Sequence, residues 1–380
     1  MRAVVAVISV ALLATVLLEA FETVVLPRRV TRRIRLTRLF YRVTWRPWAA
    51  LARRLGSRAR REAYLSFFGP LSLLLLLGVW AGGLILGFAM LQWALGSPLH
   101  GPGGQIGFGT YVYLSGTTFF TLGLGDVTPL GPVGRALTVG EAGVGFGFLA
   151  LVIGYLPVIY QAFSRREANI SLLDARAGSP PSATELLRRH GQSMDELGRL
   201  LRDWERWSAD LLESHLSYPV LCYYRSQHTN QSWLAALTTI LDTSTLVMVG
   251  IEGAPTRQAQ LTFPMARHAV LDLAQIFAPG PPRAPDPDRL SPELLRRLRA
   301  ALAAEAIMLR EDSAAEERLS TLRRMYEPYV NALAEYLLMA LPPWTPATDA
   351  FDNWQAGVRV RSSAATPVTP SCQRQDHEHF

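Results

Sequence analysis

The chain contains no lysine; all 38 of its basic residues are arginine. So uniform a replacement reads as the coding bias of a GC-rich genome rather than as a functional device. Cysteine is almost as scarce. Cys222 and Cys372 stand apart with no CxxC spacing, which excludes a disulfide framework and a metal knuckle. Charged residues make up 18 % of the chain, below the quarter or so of an ordinary soluble domain. No G-x-G-x-x-G follows a strand-like run, and no P-loop, Ser-His-Asp set or supported carboxylate dyad is present, so the residues do not read as an enzyme. His215, Cys222 and His228 share no helical face and read as structural rather than metal-ligating. No span carries regularly spaced arginines, so no voltage sensor is expected.

What the chain has instead is apolar length. Three segments reach the roughly 20 residues that a bilayer crossing needs: about Ala3 to Leu26, about Tyr64 to Leu95, and about Val133 to Phe163. Between the first two lie 13 arginines from Arg28 to Arg61 without one acidic residue. By the positive-inside rule that linker is cytoplasmic, which sets the second segment running outward and the third running back, with Arg165 and Arg166 at its inner end. The N-terminus is then extracellular or periplasmic, in a multi-pass protein of the cell membrane. A cleaved signal peptide is the rival for the first segment. It is disfavoured by a single leading charge (Arg2), the lack of an A-x-A site, and Glu19 and Glu22 near its end. Within the linker, Val30, Ile34, Phe40, Val43, Trp45, Trp48, Leu51 and Leu55 are interleaved with arginine. Such a segment lies in the headgroup layer with its arginines on anionic lipid, and its tether between two spans argues against nucleic acid.

Between the second and third segments stands T-T-F-F-T-L-G-L-G-D-V-T-P, Thr117 to Pro129. Irregular backbone at membrane depth is tolerated only where protein buries it or where it lines a watery cavity. Residues from about Thr110 to Phe120 suit one short helix, leading into a stretch with glycine at alternate positions. Glycine admits backbone conformations closed to other residues, so successive carbonyls can face one side. Several such strands around an axis make stacked rings of carbonyl oxygen, with a further ring of Thr121 hydroxyls, and rings of this kind replace a cation's hydration shell. The short helix aims its negative C-terminal end at the same place.

Here the sequence resembles the potassium channel pore-loop family. Its T-V-G-Y-G filter is matched by Thr121, Leu122, Gly123, Leu124 and Gly125, followed by Asp126. Thr117 and Thr118 in the pore-helix stretch, Pro129, the Gly134-Arg135 pair, and Gly145 at the family's hinge position extend the resemblance over about residues 64 to 163. It implies potassium coordinated at Thr121 to Leu124 as the permeant ligand, no cofactor, and a homotetramer with the pore on its axis. Two positions depart from the commonest pattern. Leu124 replaces tyrosine, as in tandem-pore relatives, and Phe120 replaces threonine; both bear on how strict the selectivity is. Asp126 concentrates cations at the outer mouth. Glu141, a carboxylate inside a span, either braces the pore helix or faces the cavity. Gly145 reads either as a hinge or as a site of close helix packing.

Beyond Ser164 the chain is charged, helical in period and broken by Pro/Gly clusters. The fold class is therefore an all-α membrane protein with five expected parts: an N-terminal transmembrane helix (1–26), an Arg-rich linker (27–63), a pore domain (64–163), a helical cytoplasmic domain (164–341) and a disordered tail (342–380). Residues 233–251 are apolar enough for a fourth span, but Asp242 and five hydroxyls favour a buried core helix. The function expected is a potassium channel whose helical domain receives an unidentified cytoplasmic regulator. The alternatives are a weakly selective cation channel and a non-conducting membrane sensor or scaffold with a vestigial loop.

Overall fold

The computed structural model describes residues 1–25, 36–101, 106–191, 193–228, 230–278 and 288–346. The last residue of the expected first span (26), the first nine of the Arg-rich linker (27–35) and all but the start of the expected tail (347–380) lie outside the described residues. Almost all regular structure in the described residues is helical, the exception being one pair of two-residue strands.

Helix α1 (Arg2–Ala20) ends in a wider turn through Val25 and packs lengthwise on α4 (Phe68–Ala94). Two glycines of α4 make the approach possible. A Cβ on Gly87 would lie 2.7 Å from Leu13, and one on Gly83 3.1 Å from Val16. Small residues at a helix crossing let backbones come close enough for dispersion to hold them without a hydrophobic drive. Glu19, fully buried at the end of α1, accepts hydrogen bonds from the Leu36 and Thr37 amides (3.1 and 3.2 Å) and from the Thr37 hydroxyl (2.8 Å). Its carboxylate thereby caps the next helix, α2 (Leu36–Arg54), satisfying donors that no helical carbonyl reaches.

The arginine linker is not a loose segment. Thr37, Tyr41, Trp45 and Ala49 form a buried stripe at four-residue spacing along α2, with Ala52 extending it, and Arg38, Arg42, Arg46, Arg53 and Arg54 point outward. The stripe faces protein: Tyr41 stacks on Tyr223 at 5.3 Å between centroids, and Trp45 Nε1 donates to the Tyr336 carbonyl at 3.0 Å. Trp45 therefore lies against the C-terminal half, where the sequence suggested headgroups; Leu39, Val43 and Leu51 remain exposed beside the arginines. Helix α3 (Arg58–Ser66) then leads through Phe67 into α4.

Helix α5 (Phe108–Phe119) has 12 residues and is about 18 Å long, too short to cross a bilayer. Helix α6 (Pro132–Ala177) has 46 and runs about 70 Å, well beyond a hydrocarbon core of about 30 Å. It continues past the expected end near Phe163. The first strong break is Gly178, with φ +82°, followed by Pro180 and Pro181.

The C-terminal half is a bundle of α7 (Ala183–His190), α8 (Met194–Ser217), α9 (Trp233–Gly250), α10 (Thr256–Phe277), α11 (Pro292–Ala303), α12 (Ser313–Arg324) and α13 (Glu327–Leu337). Four helices among the described residues are long and apolar enough to cross a membrane, α9 among them, yet 89 % of α9's apolar window is buried by its neighbours. Asp242 at its middle accepts from the Tyr326 hydroxyl and from Arg289 (2.7 Å), and Arg289 also meets Glu327 at 3.2 Å. A buried carboxylate so fully paired suits a protein core, where an unpaired one would be costly. Trp344, placed in the tail by the sequence reading, is fully buried beneath Arg289 and Arg323, so the folded part extends at least that far.

Candidate functional site

Helix α5 is held by α4 and α6. Ser115 lies buried with its hydroxyl 2.7 Å from the Ile85 carbonyl of α4 and in short contact with Glu141 Oε1 of α6. Glu141 is fully enclosed behind α5. On the other side of the motif, Gly145 meets the last turn of α5 so closely that a Cβ would lie 2.1 Å from the Phe119 carbonyl oxygen. Helix α6 is unbroken at this point, and what the glycine supplies in this conformation is room. Gly140, Gly143 and Gly147 have open space where a Cβ would project.

The loop after α5 is fixed at its root. The Thr117 carbonyl accepts from the Leu122 and Gly123 amides (2.7 and 3.2 Å), and the Thr118 carbonyl from the Thr121 amide (3.0 Å). From there φ is positive at every second residue: Thr121 at +57°, Gly123 at +54° and Gly125 at +78°, with Leu122 and Leu124 on the ordinary side. In an extended strand successive carbonyls alternate sides; reversing the sense of φ at every second residue cancels that alternation. Thr121 takes a conformation that costs a residue with a Cβ about 1–3 kcal/mol, the kind of strain that collects at functional sites.

Downstream, the Tyr113 hydroxyl donates to Asp126 Oδ2 at 2.9 Å, tying the end of the loop back to α5. Strands β1 (Leu99–His100) and β2 (Thr128–Pro129) pair next to it, and Arg135 Nε donates to the Pro129 carbonyl at 3.2 Å. Gly134 again marks close approach, its Cβ position 2.1 Å from Ser97 Oγ. Tyr113 escaped the sequence reading; its only signal is an aromatic facing the loop from the middle of a short helix. Residues Phe120 to Asp126 are all exposed in the single chain, Leu122 and Leu124 by 63 % and 64 %.

This arrangement of long helix, short helix, glycine loop and long helix has a counterpart among known proteins. Residues 74–161 match the family model described as "Ion channel". Over these residues the chain is similar to that family. Among curated proteins, an uncharacterized membrane protein of Bacillus subtilis (strain 168), YdjJ, is 23 % identical over 208 residues, covering 54 % of this chain and 59 % of its own length. Protein LctB of Geobacillus stearothermophilus is 34 % identical over 84 residues, covering 20 % of this chain and 62 % of its own length. The chain thus spans about three fifths of the length of the curated relatives it matches. No solved structure gives a significant match.

The pore domain is joined to the bundle at one place the sequence did not mark. Arg166 of α6 donates to the Leu221 carbonyl (2.9 Å) and the Tyr224 carbonyl (3.0 Å), pairs with Glu167 at 2.9 Å, and lies 3.3 Å from His215 Nε2. The same short segment reaches α4, because Tyr224 packs 2.6 Å from the Cβ position of Gly69, and reaches α2 through Tyr223. Burial holds the His215 imidazole well below its usual range, and the neighbouring Arg166 charge pushes it the same way. Burial raises the Cys222 thiol, with Arg166 opposing. His215 and Cys222 therefore sit at a structural joint, and among the described residues no group of three or more His, Cys, Asp or Glu could hold a metal ion. His228 lies elsewhere, on the exposed loop before α9.

Proposed function

We propose that the chain is a potassium-selective channel in which four copies surround one pore, with Thr121, Leu122, Gly123, Leu124 and Gly125 as its filter. The observation that carries this reading is the alternation of positive φ at Thr121, Gly123 and Gly125, which turns a run of backbone oxygens toward one side. Four such runs replace the water shell of a potassium ion, with Thr121 hydroxyls as the innermost ring. A single copy leaves this loop exposed together with Val139, Phe146 and Ile153 of α6, surfaces that three further copies, lipid and a water-filled path would share. Thr117 and Thr118 hold the loop's root, Glu141 braces α5 through Ser115, and Asp126 concentrates cations at the entrance while Tyr113 fixes it.

In this reading the arginine-rich side of α2 and the C-terminal bundle are cytoplasmic, and Arg38, Arg42, Arg46, Arg53 and Arg54 meet anionic headgroups. The test is flux into liposomes holding purified protein under a cation gradient. Potassium and rubidium entering while sodium is excluded supports the proposal. Equal sodium flux would make this a weakly selective cation channel, with Phe120 and Leu124 as the responsible departures. No flux under any gradient would leave a membrane scaffold.

A further inference from the structure

A cavity lies away from the pore loop, where α3 meets the C-terminal bundle. Its volume is ≈ 560 Å³, within the range of about 300–1,000 Å³ typical of small-molecule sites. Three walls meet there. Helix α3 contributes Arg58 and Glu62, the segment after the Tyr223 turn contributes Arg225 and Ser226, and the residues leading into α9 contribute Gln231 and its N-cap Ser232. The stretch from Met339 to Pro343 forms the floor.

The charge of these walls is positive. Arg225 is a built part of the cavity, its side chain only 7 % exposed and held by the Leu337 and Leu338 carbonyls. Glu62, 3.6 Å from Arg225, is the one carboxylate in the lining. Arg289 also reaches the wall, but Asp242 and Glu327 match its charge. Arg58 at the mouth and the positive end of the 18-residue helix α9 then remain over. Two polar atoms in the lining, Ser226 Oγ and Gln231 Oε1, are shielded from solvent and have no hydrogen-bond partner. Shielded groups of this kind are normally satisfied, and each left unmade costs about 1–3 kcal/mol.

We propose that this cavity binds a phosphate-bearing organic anion. Its oxyanion group would take the Arg58 and Arg225 guanidiniums and the Ser226 hydroxyl, and its polar body would satisfy Gln231. Guanidinium donors from different walls suit a tetrahedral oxyanion with several acceptor oxygens, whereas a metal cation would find one carboxylate and three arginines. The ligand comes either from solution or from the headgroup of a membrane lipid, because α3 adjoins the start of α4. Occupancy would clamp α3, and through it α4, to the bundle that Arg166 ties to α6.

The experiment uses the full-length protein and reads binding, so its outcome does not depend on the pore being conductive. Isothermal titration with ATP and with glucose 6-phosphate forms one arm. Flotation with phosphatidylcholine vesicles, with and without phosphatidic acid, forms the other. Binding in the first arm assigns a soluble ligand, and flotation that needs phosphatidic acid without binding in the first arm assigns a headgroup. Either must weaken at least about tenfold in Ser226→Asp, which places a carboxylate inside the wall, and in the exposed change Arg58→Glu. Should Ser226→Asp fail to fold, competition by glucose 6-phosphate against vesicle or ATP binding, together with Arg58→Glu, decides. No binding in either arm, or binding that Ser226→Asp leaves intact, overturns the proposal.

Discussion

Helices α6 and α9 are both apolar enough to cross a membrane, yet the chain treats them in opposite ways. Of α9's apolar window 89 % is buried, and of α6's only 17 %. Helix α9 spends its surface inside its own bundle and hides its one carboxylate in a network with Arg289, Tyr326 and Glu327. Helix α6 keeps most of its apolar stretch outward, burying Glu141 and Gly145 behind α5, and packs against the bundle only from about Tyr155 onward. Apolar composition thus says that a helix avoids water; where its polar residues find partners says what it avoids water with.

The sharpest way to break this comparison is at the buried carboxylate of α9, set against an exposed apolar position of α6. Asp242→Ala leaves Arg289 buried beside an empty partner and should cost about 3–5 kcal/mol, read as an earlier urea or thermal unfolding of the bundle by tryptophan fluorescence. The matching change on α6, Val139→Ala, removes an exposed side chain and should leave that transition in place. If Asp242→Ala unfolds like the unaltered protein, the core account of α9 is wrong. Next in size is Gly145→Ala. Its new methyl would press on the Phe119 carbonyl, a backbone atom with little freedom to yield, at a cost of about 1–3 kcal/mol to the α5 contact. Flux should fall with it, while Gly143→Ala, where space is open, should leave the α5 contact and the stability of the single chain unchanged.

The joint between the two regions offers a third probe. His215 is held neutral when folded by burial and by Arg166, while Glu167 and Cys222 face the same guanidinium. In the unfolded chain the imidazole binds a proton near its ordinary value of 6.5. The unfolded state therefore takes up more protons as pH falls, and stability drops below about pH 6.5 by up to about 1.4 kcal/mol per unit. His215→Gln should flatten that acid slope in a pH series of unfolding curves, and a slope unchanged by the substitution would remove His215 from the joint. The smallest effect is expected at the first helix. Glu19→Ala deprives α2 of its cap and should cost about 0.5–2 kcal/mol, seen as faster amide exchange at Leu36 and Thr37. Unaltered exchange would mean that Glu19 does not hold α2.

The pore domain was legible because its chemistry is local. The alternate glycines, the short helix before them and the long apolar runs on either side all lie within about a hundred consecutive residues. The joints were not, because their partners are distant in sequence. Trp45 donates to Tyr336, Glu19 caps Leu36 and Thr37, and Arg166 reaches Leu221 and Tyr224; no periodicity announces such pairs. The stripe of Tyr41, Trp45 and Ala49 could be read as an apolar face, but among so many arginines a membrane surface was the natural partner to infer. Arg165 and Arg166 looked alike as markers of a span's end. One is an exposed residue and the other is buried, a difference that only packing can create. Trp344 was hidden by the proline-rich run around it, which resembles a tail until the tryptophan is seen covering Arg289.

The most direct test of the account is a cryo-electron microscopy map of the full-length protein in lipid nanodiscs, recorded in potassium. Four copies should surround one axis, with the Thr121 to Leu124 carbonyls facing it and ion density between successive rings. A particle in which the loops from Thr121 to Gly125 face lipid or separate axes, with no density between them, would contradict it.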